Sequence, residues 1–283
     1  MPDNAAPIAM PSVARIARRY YRALERRVNA RLRPYRFLIY ACARTGSTSL
    51  VDILNCYVGI SCVSEPFNLD FSGNVRARVT DLSSLRREIH MLWRRHNGFK
   101  HVWDVDGWPF VGQPLFNDYI LTTAASTVIL LYRKNLLQRI VSDEMSHQSK
   151  LWHVKRTEDR AKLVEHAFKA LDRAAIRTRL VSEHQAFTDV QKRLDEARVQ
   201  YKIVSYEDLF MGSEAQNLST LAELIVLITK QRYRPKNLDR RALNIMDPAL
   251  RRLNSSETYR LVPKIHEIDD EFGCKETGFL FST

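Results

Sequence analysis

The sequence predicts a single α/β domain with a central parallel sheet flanked by helices. Short apolar runs rich in β-branched and aromatic residues, at 37–42, 127–132 and 201–205, alternate with longer segments of helical spacing. The first of these runs passes through a turn of small residues straight into helical spacing, over residues 36–53. No internal repeat, low-complexity tract or Pro/Gly-rich linker divides the chain, and 283 residues are enough for one large core.

Ahead of the domain, which the pattern assigns to 36–283, residues 1–35 form a separate unit. Between positions 15 and 36, nine arginines (15, 18, 19, 22, 26, 27, 31, 33 and 36) are opposed only by Glu25, and Val13, Ile16, Tyr20, Leu24, Val28 and Leu32 recur at helical spacing. This predicts a basic amphipathic helix. Packing on the domain with a solvated arginine face is the ordinary reading, and peripheral contact with a membrane surface is the alternative. The formal net charge of +12 favours acidic partners without choosing among them. Residues 1–9 lack the basic and apolar parts of a secretory signal, and no apolar run approaches the roughly 20 residues of a membrane span, so a cytoplasmic protein is expected. Cys42, Cys56, Cys62 and Cys274 show no metal-ligand spacing and read as reduced thiols.

The segment Arg36 to Ile53 organises the rest. A strand at 37–42 that turns through Gly46 into a helix leaves backbone N–H groups unpaired at the positive end of the helix dipole, which makes an anion cradle. Thr45, Ser47, Thr48 and Ser49 add hydroxyls, and Arg44 adds a guanidinium able to fork onto two oxygens. The nucleotide loop GxxxxGK[ST] is absent: Ser47 follows Gly46 where that motif has Lys, and the cation stands ahead of the glycine.

Further along, a helix over 50–57 leads to a strand at 59–63 and then to Glu65, held at a strand end because Pro66 stops further pairing. Carboxyl ends of parallel strands are where open α/β sheets bind ligands. A basic helix over 82–95 precedes a strand at 98–103 that carries Lys100 and His101 and ends near Asp104, followed by a loop over 104–112. The strand at 127–132 ends in Arg133, Lys134 and Asn135, whereas a magnesium-dependent phosphotransferase usually has an Asp at such a place. A helix then runs past Ser142. Residues 157–200 contain no Gly or Pro and read as one or two helices over the sheet, 201–205 as the last strand, 218–230 as a helix, and 251–269 as a basic tail.

The series Arg44-Thr45-Gly46-Ser47-Thr48 resembles the 5′-phosphosulfate loop of sulfotransferases, in particular bacterial carbohydrate sulfotransferases of the trehalose and nodulation-factor type. Residues 131–142 are similar to the same family's 3′-phosphate element, a strand-terminal cation and a Ser on the next helix. Arg133 stands nine residues before Ser142, while the commoner family spacing of eight selects Lys134, so both cations are candidates. Residues 147–153 and the tetrapeptide Tyr206-Glu207-Asp208-Leu209 also resemble family tracts, the latter as scaffold. The resemblance implies a P-loop-like domain and, without a metal, in-line transfer of a sulfuryl group from 3′-phosphoadenosine 5′-phosphosulfate (PAPS) to a hydroxyl of a carbohydrate or glycolipid, releasing adenosine 3′,5′-bisphosphate. It implies cofactor contacts from Arg44, Thr45, Gly46, Ser47, Thr48, Ser49, Arg133 or Lys134, and Ser142. For the base that takes the acceptor proton, Glu65 comes first, with the position of Asn68 as another alignment of the family carboxylate. His101 is second, because cytosolic relatives use a histidine, and Asp104 third. Lys100 could balance the sulfuryl charge. Two rivals stand beside this reading: a P-loop kinase, and a noncatalytic basic module for membrane or nucleic acid. The nucleic-acid form lacks any RRM, KH or helix-turn-helix signature.

Overall fold

The apolar runs become strands of one sheet, with the first and the fourth buried almost throughout and the last, at the edge, leaving Ile203 exposed. The computed structural model describes residues 21, 24, 28, 32–71, 73–152, 157–247 and 256–281. Five strands, β1 (Phe37–Ala41), β2 (Cys62–Ser64), β3 (Gly98–Val102), β4 (Thr127–Tyr132) and β5 (Gln200–Ser205), pair in the order β2-β3-β1-β4-β5, all parallel. The fold is α/β, with helices on both faces of a central parallel sheet. In register, Ala41 of β1 lies between Val102 of β3 and Leu131 of β4. The carboxyl ends of the three central strands therefore meet at one edge.

Alternation along the strands divides the core. Phe37, Ile39, Ala41, Ile129 and Leu131 face α1 (Ser47–Leu54), and α8 (Glu214–Thr229) covers them with Leu221, Leu224, Ile225 and Ile228. Leu38, Tyr40, Phe99, Val128 and Leu130 face the opposite layer, built from α2 (Leu82–Trp93), α3 (Pro114–Thr123) and the far end of α6 (Arg173–Glu196). A third cluster joins α4 (Leu136–Ser149), α5 (Thr157–Glu165), the start of α6 and the chain's end, including α11 (Ile265–Phe272). To the first cluster α7 (Tyr206–Phe210) adds Leu209 and Phe210 and α9 (Arg241–Met246) adds Ala242, Ile245 and Met246, while α10 (Ser256–Tyr259) adds Tyr259 to the third.

Several boundaries differ from the sequence reading. The second strand starts at Cys62 rather than 59, because Gly59 turns at φ 91° and the Asn97 side chain holds Gly59 O at 2.8 Å and Ser61 N at 2.8 Å. Those polar groups are paired with a side chain and do not join the ladder. Helix α1 begins three residues before the expected Leu50 and ends at Leu54, after which Tyr57 bridges Leu238. Helix α3 had no counterpart in the sequence reading. It starts on Pro114, whose fixed φ suits a first helical turn.

The expectation that the N-terminal stripe packs on the domain does not hold where it is described. Tyr21, Leu24, Val28 and Leu32 are helical and exposed by 70%, 60%, 46% and 74%. Val13, Ile16 and Tyr20 lie outside the described residues, as do Arg251 and Arg252 of the tail. No described helix is long and apolar enough to cross a membrane.

Candidate anion-binding site

Past β1 the chain turns through Arg44 (φ 64°) and Gly46 (φ 78°) into α1. Two left-handed residues so close together aim successive amides to one side. Leu50 N is the first in α1 to bond back along the helix, to Gly46 O at 3.0 Å, so the amides of Ser47, Thr48 and Ser49 have no acceptor within it. No described side chain caps them. Gly46 is required twice over, since a Cβ there would lie 2.8 Å from the Tyr206 ring and 2.9 Å from Phe210, besides the strain of its φ. Thr45 Oγ1 donates to Cys42 O at 2.9 Å and closes the turn. Its hydroxyl and that of Ser47 belong to buried residues, whereas Thr48 and Ser49 are half-buried.

The half-buried Arg44 reaches across to α4. Its Nε donates to Ser142 Oγ at 3.0 Å and its Nη1 to Trp152 O at 2.6 Å. Desolvation lowers its pKa to about 10, so it stays charged at neutral pH; Asp143 opposes that shift and Arg133 adds to it. Arg133 thus lies close enough for its charge to be felt at Arg44. It is 9% exposed, lies 4.9 Å over the Tyr206 ring, and donates from Nη2 to Gln138 Oε1 at 2.6 Å. Its buried Nε has no hydrogen-bond partner among the described residues. An orphaned buried donor costs about 1–3 kcal/mol, and two neighbouring guanidiniums repel, so an anion between them would relieve both. The amides at the uncapped start of α1, Arg44, Arg133 and Ser142 fit a phosphate- or sulfate-bearing ligand.

Lys134 is not part of this arrangement. Its ammonium turns outward to Asp208 Oδ1 at 2.6 Å, and that hydrogen bond raises its pKa. The spacing of eight that favoured it is set aside for a reason of parity: Arg133 continues the face of Leu131, toward α1, and Lys134 does not. Glu207 supports the same corner by accepting the amides of Lys134 (2.9 Å) and Asn135 (3.2 Å) ahead of α4. Tyr206 packs between Gly46 and Arg133. The tetrapeptide 206–209 serves as a brace, as the sequence reading had it.

Glu65, with φ 44°, carries a carboxylate fixed at both oxygens: Oε1 pairs with Lys100 Nζ at 2.5 Å and Oε2 accepts Asn68 Nδ2 at 2.7 Å. Lys100 is 1% exposed; burial lowers its pKa and Glu65 opposes this. Its ammonium also donates to Thr48 Oγ1 at 2.8 Å. A continuous polar chain, Thr48–Lys100–Glu65–Asn68, therefore runs from the cradle helix to the loop after β2.

His101 lies elsewhere. Alternation along β3 puts it on the opposite face from Lys100, where it stacks on Tyr40 at 5.5 Å, meets Phe67 and Phe110, and bonds Asn117 Oδ1 through Nε2 at 3.0 Å. Burial lowers its pKa to about 4. This is a neutral core imidazole, and the candidate base at 101 is corrected accordingly. Half-buried Asp104 accepts from Val105 N at 2.7 Å, and its charge is felt at Cys42, Arg139 and Arg179.

Sequence reasoning passed over the residues that hold α4 in place. Arg139 donates from Nη1 to Ala43 O at 3.2 Å and pairs with Glu183, while Arg179 joins Asp143 (2.8 Å), Glu144 (2.6 Å) and Glu183 (3.0 Å). Gln138 links Arg133 to the chain's end by donating to Phe279 O at 3.0 Å. Among the described residues, no group of three His, Cys, Asp or Glu is placed to hold a metal ion, and the four cysteines form no disulfide. No protein-family model matches the chain, and no curated protein matches it.

Proposed function

We propose that this chain is a sulfotransferase of P-loop-like fold, moving a sulfuryl group from PAPS to a hydroxyl of a carbohydrate or glycolipid. The observation that carries the reading is the convergence of Arg44 and Arg133, from adjacent strand ends, with Ser142 beside the uncapped start of α1. One anion site at that helix would suit any phosphate. A second cation with an orphaned Nε, from β4, leaves room for a second anionic group, and the proposed donor carries two. The kinase reading is weaker, since Arg133 occupies the strand end where a metal-binding Asp would stand.

In the proposed reaction, Glu65 accepts the proton of the acceptor hydroxyl, whose oxygen bonds to sulfur as the bond from sulfur to the 5′-phosphate oxygen breaks. The electron pair of that bond leaves on the bridging oxygen. Arg44 and the amides of Thr45 to Ser49 stabilise the charge that grows there, and they act more strongly on the transition state than on the ground state. Lys100 and Asn68 fix the Glu65 carboxylate, and the Lys100 ammonium is shared with Thr48 at the cradle. Arg133 and Ser142 hold the 3′-phosphate.

The test is transfer of labelled sulfur from the donor to a panel of carbohydrates and glycolipids without added magnesium. The expected result is labelled product from wild type and a loss on the order of 10²-fold or more in kcat for Arg44→Ala. Magnesium-dependent transfer of phosphate from ATP, with none of sulfur, would support the kinase instead.

A further inference from the structure

The guanidinium of Arg133 is aimed by a side chain that the proposed chemistry does not use. Resting on the reading of Arg133 as the 3′-phosphate contact, we infer that Gln138 is its positioning residue and that segment 274–281 fixes Gln138 in turn, so that selectivity for a second anionic group is set from outside the crevice. Gln138 is buried on the first turn of α4, and both ends of its amide are used. Nε2 donates to Phe279 O at 3.0 Å and to Leu280 O at 3.3 Å. Two carbonyl acceptors can face only the NH2 end of an amide, so Oε1 must turn the other way. There it accepts Arg133 Nη2 at 2.6 Å, a short bond to a charged donor. The guanidinium is planar. Holding Nη2 on one side, with the group 4.9 Å over the Tyr206 ring, fixes the direction of Nε, which has no partner among the described residues.

Segment 274–281 is itself anchored. Gly278 N donates to Cys274 O at 2.8 Å, Thr277 Oγ1 to Phe272 O at 2.6 Å, and the N of buried Leu280 to Asp269 Oδ1 at 2.7 Å. The segment also closes the start of α4. Leu137 N donates to Thr277 O at 2.9 Å, and Asn135, whose Oδ1 accepts Gln138 N at 2.8 Å, donates from Nδ2 to Phe279 O at 2.7 Å. Leu136 N bonds Lys134 O at 3.0 Å, so the first three amides of α4 all have acceptors. The start of α1 differs, with no described side chain capping it. An anionic group at the end of β4 therefore meets side chains rather than amides, and the direction of Arg133 decides how well it is held.

Calorimetric titration of adenosine 3′,5′-bisphosphate and of AMP into Gln138→Met and Gly278→Ala, with thermal unfolding of each variant, tests this. Met keeps the length of Gln and removes both polar ends. In Gln138→Met the wild-type preference for the bisphosphate should fall about tenfold, the equivalent of one hydrogen bond to a charged group, while affinity for AMP stays within about twofold. Gly278→Ala acts on the segment alone, its Cβ at φ 82° meeting the Asn135 side chain, and the preference should fall in the same direction. A merely structural role would lower Tm and weaken both nucleotides alike, and that result would overturn the inference. A full wild-type preference in folded Gln138→Met would overturn it too, with the sulfotransferase reading left standing. If Gln138→Met does not fold, Gln138→Glu decides: its carboxylate neutralises Arg133 and faces two carbonyls, so the preference should drop about tenfold or more, and retention overturns the inference equally. Equal affinity of wild type for the two nucleotides is a separate result, which contradicts the reading of Arg133 itself and takes the inference with it.

Discussion

At the scale of single residues, the site and the core give neighbouring side chains on β3 opposite fates. His101 is buried neutral, with a pKa lowered from 6.5 to about 4. Its folded-state pKa is depressed, so its contribution to stability is full above the unfolded value and is lost as pH falls from about 6.5 through 4. Integrated over that window the loss is about 2–3 kcal/mol. Denaturant unfolding at pH 7 and pH 4.5 should show that His101→Gln narrows the difference in stability between the two pH values by about 2 kcal/mol; an unchanged difference would contradict the buried-imidazole assignment. Lys100, one residue earlier, is tied to Glu65 at 2.5 Å. Glu65→Gln should lower kcat by roughly 10²- to 10⁴-fold with donor affinity kept. Lys100→Met should cost about 3–5 kcal/mol in stability by stranding the Glu65 charge, and adding Glu65→Gln should recover part of it. Additive losses in that cycle would show that the two side chains do not depend on each other.

At the scale of elements, the strand-turn-helix from β1 to α1 is the unit on which binding depends. Gly46→Ala places a Cβ 2.8 Å from the Tyr206 ring at φ 78°. The predicted cost is about 1–3 kcal/mol in stability, together with weaker anion binding, because Tyr206 must move from under Arg133. Unfolding and nucleotide titration of this variant check both effects, and unimpaired binding would show that the brace is dispensable. This unit was legible in the sequence because its signal is local: an apolar run, a glycine and hydroxyl residues within 18 positions. The same holds for β4, found at the expected residues Thr127–Tyr132. Other elements depend on distant partners. The start of β2 is decided by the Asn97 side chain 38 residues from Gly59, which local spacing does not reveal. Helix α3 carries Phe116, Ile120 and Leu121 at helical spacing behind Pro114, a signal that is local but short. Strand parity implied that Lys100 and His101 face opposite layers, and likewise Arg133 and Lys134. Which face held the cradle became clear only when α1 was seen over Phe37, Ile39 and Leu131.

At the scale of the molecule, the sheet order places the two arginine-bearing strand ends side by side. The chain leaves β1 toward β2 on one side and leaves β4 toward β5 on the other, which opens a crevice at their carboxyl ends. Residues 89 positions apart in sequence, Arg44 and Arg133, come to share that crevice, and Arg139 and Arg179 fix α4 beside it through buried ion pairs. The account rests on this crevice recognising a nucleotide with phosphates at both 3′ and 5′ positions. Calorimetric titration of adenosine 3′,5′-bisphosphate and of AMP, without magnesium, is the most direct measurement. Hydrogen bonds to charged groups contribute roughly 1.5–3 kcal/mol each, so two contacts to the 3′-phosphate predict a preference of about 10²-fold or more for the bisphosphate. Arg133→Ala and Ser142→Ala should collapse that preference, and Lys134→Ala should leave it intact. Equal affinity of wild type for the two nucleotides would contradict the account.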